Sequence, residues 1–261
     1  MRQSTAGGEV RSLAPFLLLW ELSFVLPVGV IVLGELIAAR STPPYSLASA
    51  QLREAVMRLL AWRVIAATIS VGVLALVQWF AVHRRLPRPT LWAALTALGV
   101  IAGNGIASRV AIVVIVASGS QWRPIGFFPL PDLVHYSFAS VHGEYAAYLL
   151  STGAILGVIA GAMQVFALPF PWSWRILWIV VCGIGGLAAV SVDAFARSLI
   201  FRVVPALALT GIPEPWRALP KLLLWHGAGV FFFGLLTGAT MYRMIRGRHR
   251  TQVESILGQF D

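Results

Sequence analysis

The chain has 261 residues, of which 58% are hydrophobic and only 11% charged, and its mean hydropathy is +0.81. This composition excludes an ordinary soluble domain and predicts a multi-pass membrane protein. The net charge of +10 does not indicate a nucleic-acid partner, because the basic residues are scattered and form no stripe with interleaved aromatics. The single cysteine, Cys182, excludes an intramolecular disulfide.

Six stretches are long enough to cross a hydrocarbon core of about 30 Å as helices, which takes roughly 20 residues each. Strands are excluded because a backbone in lipid must satisfy its own hydrogen bonds. The first stretch carries Glu21 and Glu35 and is longer than the apolar region of a signal peptide, so we expect it to be retained. The predicted helices span residues 15–39, 52–84, 90–118, 143–168, 173–204 and 220–244.

The distribution of arginines orients these helices. With six spans, the arginines of the amino-terminal tail, the 83–89 loop and the carboxyl end all fall on one side, together with Arg175. By the positive-inside rule this side is cytoplasmic. The sequence thus predicts both termini in the cytoplasm and, for a bacterial chain, a location in the plasma membrane.

A spacing pattern repeats along the chain. Tyr148 lies sixteen residues before Gln164, Trp178 lies fourteen after it and Gly185 twenty-one after it. The same three spacings surround Gln78, with Trp62, Trp92 and Gly99, and Met241 repeats the first of them with Trp225. The pattern predicts one membrane domain, residues 1–261, built from three helical hairpins at 15–85, 88–170 and 172–246.

Two further features support this repeat. The outward helices begin with Leu-Trp pairs at Trp20, Trp92 and Trp178, and an arginine follows each pair. Hairpins repeated in the same sense are parallel repeats about an axis along the membrane normal, so a pseudo-threefold ring is the simplest arrangement. Small-xxx-small pairs predict close helix packing; they are Gly99 with Gly103, Gly157 with Gly161, and Gly234 with Gly238.

The segment GVLALVQWFAVHRRLPRPTLW at 72–92, echoed by GVIAGAMQVFAL at 157–168, resembles a group of uncharacterised bacterial multi-pass membrane proteins. Their pattern is a repeated small-xxx-small-xx-Gln-Trp, followed by Leu-Arg-Arg and a later Trp. This chain departs from it with Val71 and Ala75 in place of glycines and without a basic pair after Gln164. The resemblance implies repeated helical hairpins and carries no activity.

The predicted topology places ionisable residues from all six helices in the outer half of the membrane. They are Glu35, Arg63, Arg109, Glu144, Asp193, Arg197 and His226. Charges at this depth are costly and normally face the bundle interior and pair, and Asp193 and Arg197 have the spacing to pair on one helix. Such pairs could simply hold the hairpins in register, or the arginine surplus could bind an anion in a polar cavity.

The sequence therefore predicts a non-enzymatic membrane protein without a cofactor, which contacts lipids and binds or moves a small anionic solute or lipid headgroup. Its ligand-binding residues are predicted to be Glu35, Arg63, Arg109, Asp193 and Arg197, with Gln78 and Gln164 as contacts on the inner side. One alternative is a non-catalytic subunit of a larger membrane complex. Another is a metal-dependent hydrolase with ligands at His142, Glu144 and His226, although no known catalytic motif is present.

Overall fold

The computed structural model describes residues 13–41, 49–117, 143–203 and 218–257, and within these ranges some side chains near the helix ends are not described. The described chain is all-helical, as predicted. Its six α-helices are α1 (Leu13–Ser41), α2 (Ser49–Val82), α3 (Pro89–Ala117), α4 (Gly143–Gln164), α5 (Trp172–Val203) and α6 (Ala218–Leu257). One 3-10 turn, Val165–Ala167, follows α4.

Five of the described helices are long and apolar enough to cross a membrane, a finding consistent with a membrane protein. Their apolar segments are Leu13–Gly34, Val64–Val82, Pro89–Ala107, Trp172–Asp193 and Gly227–Arg248. A shorter apolar segment runs from Thr152 of α4 through the 3-10 turn to Ala167. Large apolar side chains are exposed on every helix, as expected where the surrounding solvent is lipid.

One helix differs clearly from the predicted bounds. The sequence prediction ended the last helix at residue 244, where the hydropathy falls, but α6 continues to Leu257. The added segment contains no proline, so nothing in it forces the backbone to leave the helix. Loss of apolar character marks the end of a membrane-crossing segment and does not by itself end a helix.

The helices pack in chain order and close into a ring. Each helix contacts the one before and the one after it, and α6 also packs against α1. The connections at 83–88 and 168–171 are short and lie at the same end of the bundle, which we name the short-loop end. The beginning of α1 lies there too, because the guanidinium carbon of Arg85, in the 83–88 connection, is 4.8 Å from the centre of the Phe16 ring.

Glycines allow the closest helix contacts. A Cβ atom at Gly157 of α4 would collide with the backbone carbonyl of Cys182 on α5, and a Cβ at Gly99 of α3 would lie 2.9 Å from the Cα of Ala160 on α4. On α6, Gly238 makes room in the same way for the Trp20 indole of α1. The small-xxx-small pairs of the sequence therefore lie at helix contacts, where small residues replace the missing hydrophobic drive of lipid.

Candidate functional site

Three tryptophans from alternate helices meet inside the ring, near the short-loop end. Trp20 of α1, Trp92 of α3 and Trp178 of α5 are each 1% exposed or less. Their ring centroids are 6.3 Å apart for Trp20 and Trp92, 6.3 Å for Trp20 and Trp178, and 5.7 Å for Trp92 and Trp178. These distances are those of favourable aromatic pairs. We name this group the tryptophan cluster, and it fills the interior of the ring at this level.

Each indole of the tryptophan cluster donates a hydrogen bond to the helix that precedes it around the ring. Trp92 Nε1 donates to Gln78 Oε1 at 3.2 Å, and Trp178 Nε1 donates to Gln164 Oε1 at 3.0 Å. Trp20 Nε1 donates to Thr237 Oγ1 of α6 at 3.1 Å. The fourteen-residue spacing in the sequence thus corresponds to a physical contact, because it carries the chain from the end of one helix across a short loop to the next.

Thr96 joins the two glutamines. Its hydroxyl lies 3.2 Å from Gln78 Oε1 and accepts a hydrogen bond of 2.8 Å from Gln164 Nε2. All three side chains are buried. The two glutamines that the sequence analysis assigned to ligand contact are therefore brought together, and their amide groups tie α2, α3, α4 and α5 into one buried polar network.

Glu21 lies next to the tryptophan cluster on α1 and is 8% exposed. Both carboxylate oxygens are buried, and neither has a hydrogen-bond partner within the part of the chain that the structure describes. The α6 backbone approaches closely here, since a Cβ atom at Gly234 would lie 2.5 Å from Glu21 Oε2. Gly234 thus leaves the room that this carboxyl occupies.

A basic pocket opens at the short-loop end. Its volume is about 310 Å³, and residues of the 83–88 connection, the 168–171 connection and α6 line it. The four basic lining residues are His83, Arg84, Arg85 and Arg248. The four apolar lining residues are Leu86, Pro87, Phe170 and Ile245. None of the described lining residues is acidic, so the described lining carries a net positive charge from its three arginines.

Local contacts hold two of the basic side chains in position. Arg85 Nη1 donates a hydrogen bond of 2.6 Å to the carbonyl of Ala81, and its guanidinium carbon lies 4.8 Å from the centre of the Phe16 ring. His83 Nδ1 lies 2.7 Å from the carbonyl oxygen of Phe80, and the imidazole stacks on Trp79. The proton on Nδ1 therefore faces the backbone, which leaves Nε2 as the nitrogen able to meet a ligand.

The predicted outer layer is described only in part. Asp193 is half-buried on α5 and accepts a 2.7 Å hydrogen bond from the backbone N–H of Gly229 on α6. Arg109 is exposed on α3. The side chains of the other three predicted ligand residues, Glu35, Arg63 and Arg197, lie outside the described part of the structure.

The predicted metal ligands have side chains that the structure does not describe. His142 and the side chains of Glu144 and His226 lie outside the described part. Within residues 13–41, 49–117, 143–203 and 218–257, no group of three His, Cys, Asp or Glu side chains is placed to hold a metal ion.

Sequence reasoning missed the basic pocket, the bridging role of Thr96 and the pairing of Trp20 with Thr237. The arginines of the 83–89 loop are visible in the sequence, where they predict membrane orientation and not a pocket. Comparison with known proteins adds no family, since no protein-family model, curated protein or solved structure matches the chain.

Proposed function

We propose that this protein is a non-enzymatic, six-span membrane protein that binds a small anionic solute or a lipid headgroup in the half of the bilayer opposite the short-loop end. Its three hairpins stand in the same sense around a common axis, with both termini in the cytoplasm. Arg63, Arg109 and Arg197 supply the positive charge, and Glu35 and Asp193 balance it. Gln78 and Gln164 lie beneath this layer.

The tryptophan cluster is the observation that carries the proposal, because it favours binding over passage. Three buried indoles fill the interior of the ring, and each is fixed by its own hydrogen bond. A polar cavity between the far halves of the helices is then closed at its base. A ligand enters and leaves such a cavity from one side of the membrane.

The surplus of arginines over carboxylates determines the sign of the charge on the ligand. Charged side chains in a membrane cost roughly 2.5–3.5 kcal/mol each even on the insertion scale, so they normally face the bundle interior and pair. Asp193 is already engaged by the α6 backbone through Gly229. Three arginines set against two carboxylates leave a net positive charge, and guanidinium groups suit oxyanions and carboxylates.

The test uses the full chain purified in detergent, with inorganic phosphate, sulfate and succinate as probes. A bound anion stabilises the folded state in proportion to its occupancy, so we expect at least one probe to raise the melting temperature in a saturable manner. Arg109→Gln and Arg197→Gln should abolish this rise. The matched control is Arg246→Gln, which removes the same charge from an exposed position near the other end of the bundle.

Two results would overturn the proposal. The first is an identical response in the control and in the two test variants, which indicates general charge screening. The second is saturable flux of the same anion through vesicles that contain the protein, which a base closed by three indoles does not permit. A second protein that co-purifies at fixed stoichiometry, with no anion effect, would favour the subunit hypothesis instead.

A further inference from the structure

We infer that the basic pocket at the short-loop end binds the phosphate group of a membrane lipid. This site lies at the opposite end of the bundle from the proposed outer layer and uses none of its residues. Three guanidinium groups and one imidazole line a single cavity whose other described lining residues are apolar. A phosphate offers several oxygens to these groups at once, whereas a carboxylate offers only two.

The pocket is assembled from parts of the chain that are distant in sequence. His83, Arg84 and Arg85 come from the connection between α2 and α3, and Arg248 comes from α6. Phe170 is fixed in the wall because its carbonyl accepts a 2.9 Å hydrogen bond from Arg175 Nε. Arg85 and His83 are held by backbone carbonyls. Two of the four basic groups are therefore positioned before a ligand arrives, which lowers the entropy cost of binding.

The apolar part of the lining distinguishes a lipid from a free ion. Leu86 and Phe170 are buried, and with Pro87 and Ile245 they give the cavity an apolar wall beside its basic groups. A volume of about 310 Å³ lies at the lower end of the range for small-molecule sites and exceeds what one phosphate ion needs. Such a cavity fits a phosphate that carries a glycerol-like substituent.

The surroundings indicate that this end lies at headgroup level. Trp172 and Trp174 begin α5 directly after the 168–171 connection and are exposed, Trp172 to 65%. Exposed tryptophans of this kind gather where the hydrocarbon core meets the headgroups. Arg84 and Pro87 are also exposed, so the pocket reaches the surface at this level. Basic pockets between membrane helices are known to bind lipid headgroups.

The experiment measures the binding of dioleoylphosphatidic acid and of dioleoylglycerol, which differ only in the phosphate, to the delipidated full chain in detergent by native mass spectrometry. We expect saturable binding of phosphatidic acid with one lipid per chain and no comparable binding of dioleoylglycerol. The double variant Arg84→Gln/Arg248→Gln should weaken phosphatidic acid binding about tenfold or more, because it removes two charge-assisted hydrogen-bond donors.

The control is Arg243→Gln/Arg246→Gln, which removes the same charge from exposed positions on α6 that do not line the pocket. Its affinity should stay within about twofold of the parent, as expected for surface charges. If the first double variant does not fold, Arg84→Gln alone changes only an exposed side chain and should weaken binding in the same direction. Inorganic phosphate is added as a competitor. If inorganic phosphate displaces phosphatidic acid, the phosphate group alone suffices for binding. If it does not, binding also requires the lipid portion.

The inference is overturned if phosphatidic acid does not bind, or if dioleoylglycerol binds equally well. It is also overturned if the two double variants lose affinity to the same extent, because the effect is then general surface charge. None of these outcomes involves Arg109 or Arg197. Failure here is therefore distinguishable from failure of the proposed outer site.

Discussion

Gln164 shows how a single side chain can hold the buried network together. Its Oε1 accepts the Trp178 N–H at 3.0 Å, and its Nε2 donates to Thr96 at 2.8 Å. Gln164→Met keeps nearly the same volume but removes both interactions, leaving a buried indole N–H without its acceptor. We expect the free energy of unfolding to fall by about 1–3 kcal/mol, as measured by reversible denaturation in detergent.

Trp172→Phe is the control for Gln164→Met. Trp172 is 65% exposed near the same end of the bundle, so this substitution should change the free energy of unfolding by no more than about 0.5 kcal/mol. Equal stability of Gln164→Met and the parent would show that the hydrogen bonds of the network contribute nothing net.

Contacts between single residues differ in whether the sequence predicts them. The spacing from Gln78 to Trp92 and from Gln164 to Trp178 was visible as a repeat, because each pair is separated by one short connection. Gln164 and Thr96 are 68 positions apart, and Trp20 and Thr237 are 217 apart. Contacts across such distances leave no periodic pattern. The basic pocket was missed for the same reason, since Arg248 and Phe170 join the 83–88 connection only in the folded chain.

Among the helices, the contact between α4 and α5 depends most directly on glycine. A Cβ atom at Gly157 would collide with the carbonyl oxygen of Cys182, and a Cβ at Gly153 would collide with that of Gly186. These obstacles are backbone atoms, so the helices must move apart to admit a methyl group. Gly157→Ala should therefore destabilise the protein by about 1–3 kcal/mol, the usual cost of overpacking, measured by the same denaturation assay.

Gly105→Ala provides the matched comparison. Gly105 is also a helical glycine, but nothing lies within 4 Å of the position its Cβ would take. Alanine there should stabilise the protein by about 0.5–1 kcal/mol, because it restricts the unfolded backbone without a clash. Destabilisation by both substitutions to the same extent would contradict the close α4–α5 contact. Hydropathy predicts the helices and glycine spacing predicts the small-xxx-small pairs, but neither shows which neighbouring helix each pair contacts.

For the whole molecule, the predicted orientation can be tested with engineered thiols. Cys182 is the single natural cysteine and is buried, so Cys182→Ala gives a background without thiols. In intact cells, a membrane-impermeant maleimide should label Ser46→Cys and Ser137→Cys, which fall in the predicted outer loops. Thr251→Cys should react only after the membrane is opened, because the predicted carboxyl end is cytoplasmic.

Labelling of Thr251→Cys in intact cells, with no labelling of the other two positions, would reverse the predicted orientation. Composition and hydropathy were sufficient to predict the helical class and the six α-helices of the described residues. The repeat predicts a ring, but composition and hydropathy do not show which side chains join α6 to α1, because these residues meet only when the first and last helices are both in place.

The hydrogen bond between Trp20 and Thr237 has a consequence for biogenesis. It joins the first helix to the last, and a ribosome delivers α1 to the membrane long before α6 emerges. During synthesis the Trp20 indole therefore lacks this hydrogen-bond acceptor until the final helix inserts. A nascent chain that stops before α6 therefore lacks this hydrogen bond and leaves the face of α1 that packs against α6 without its partner helix.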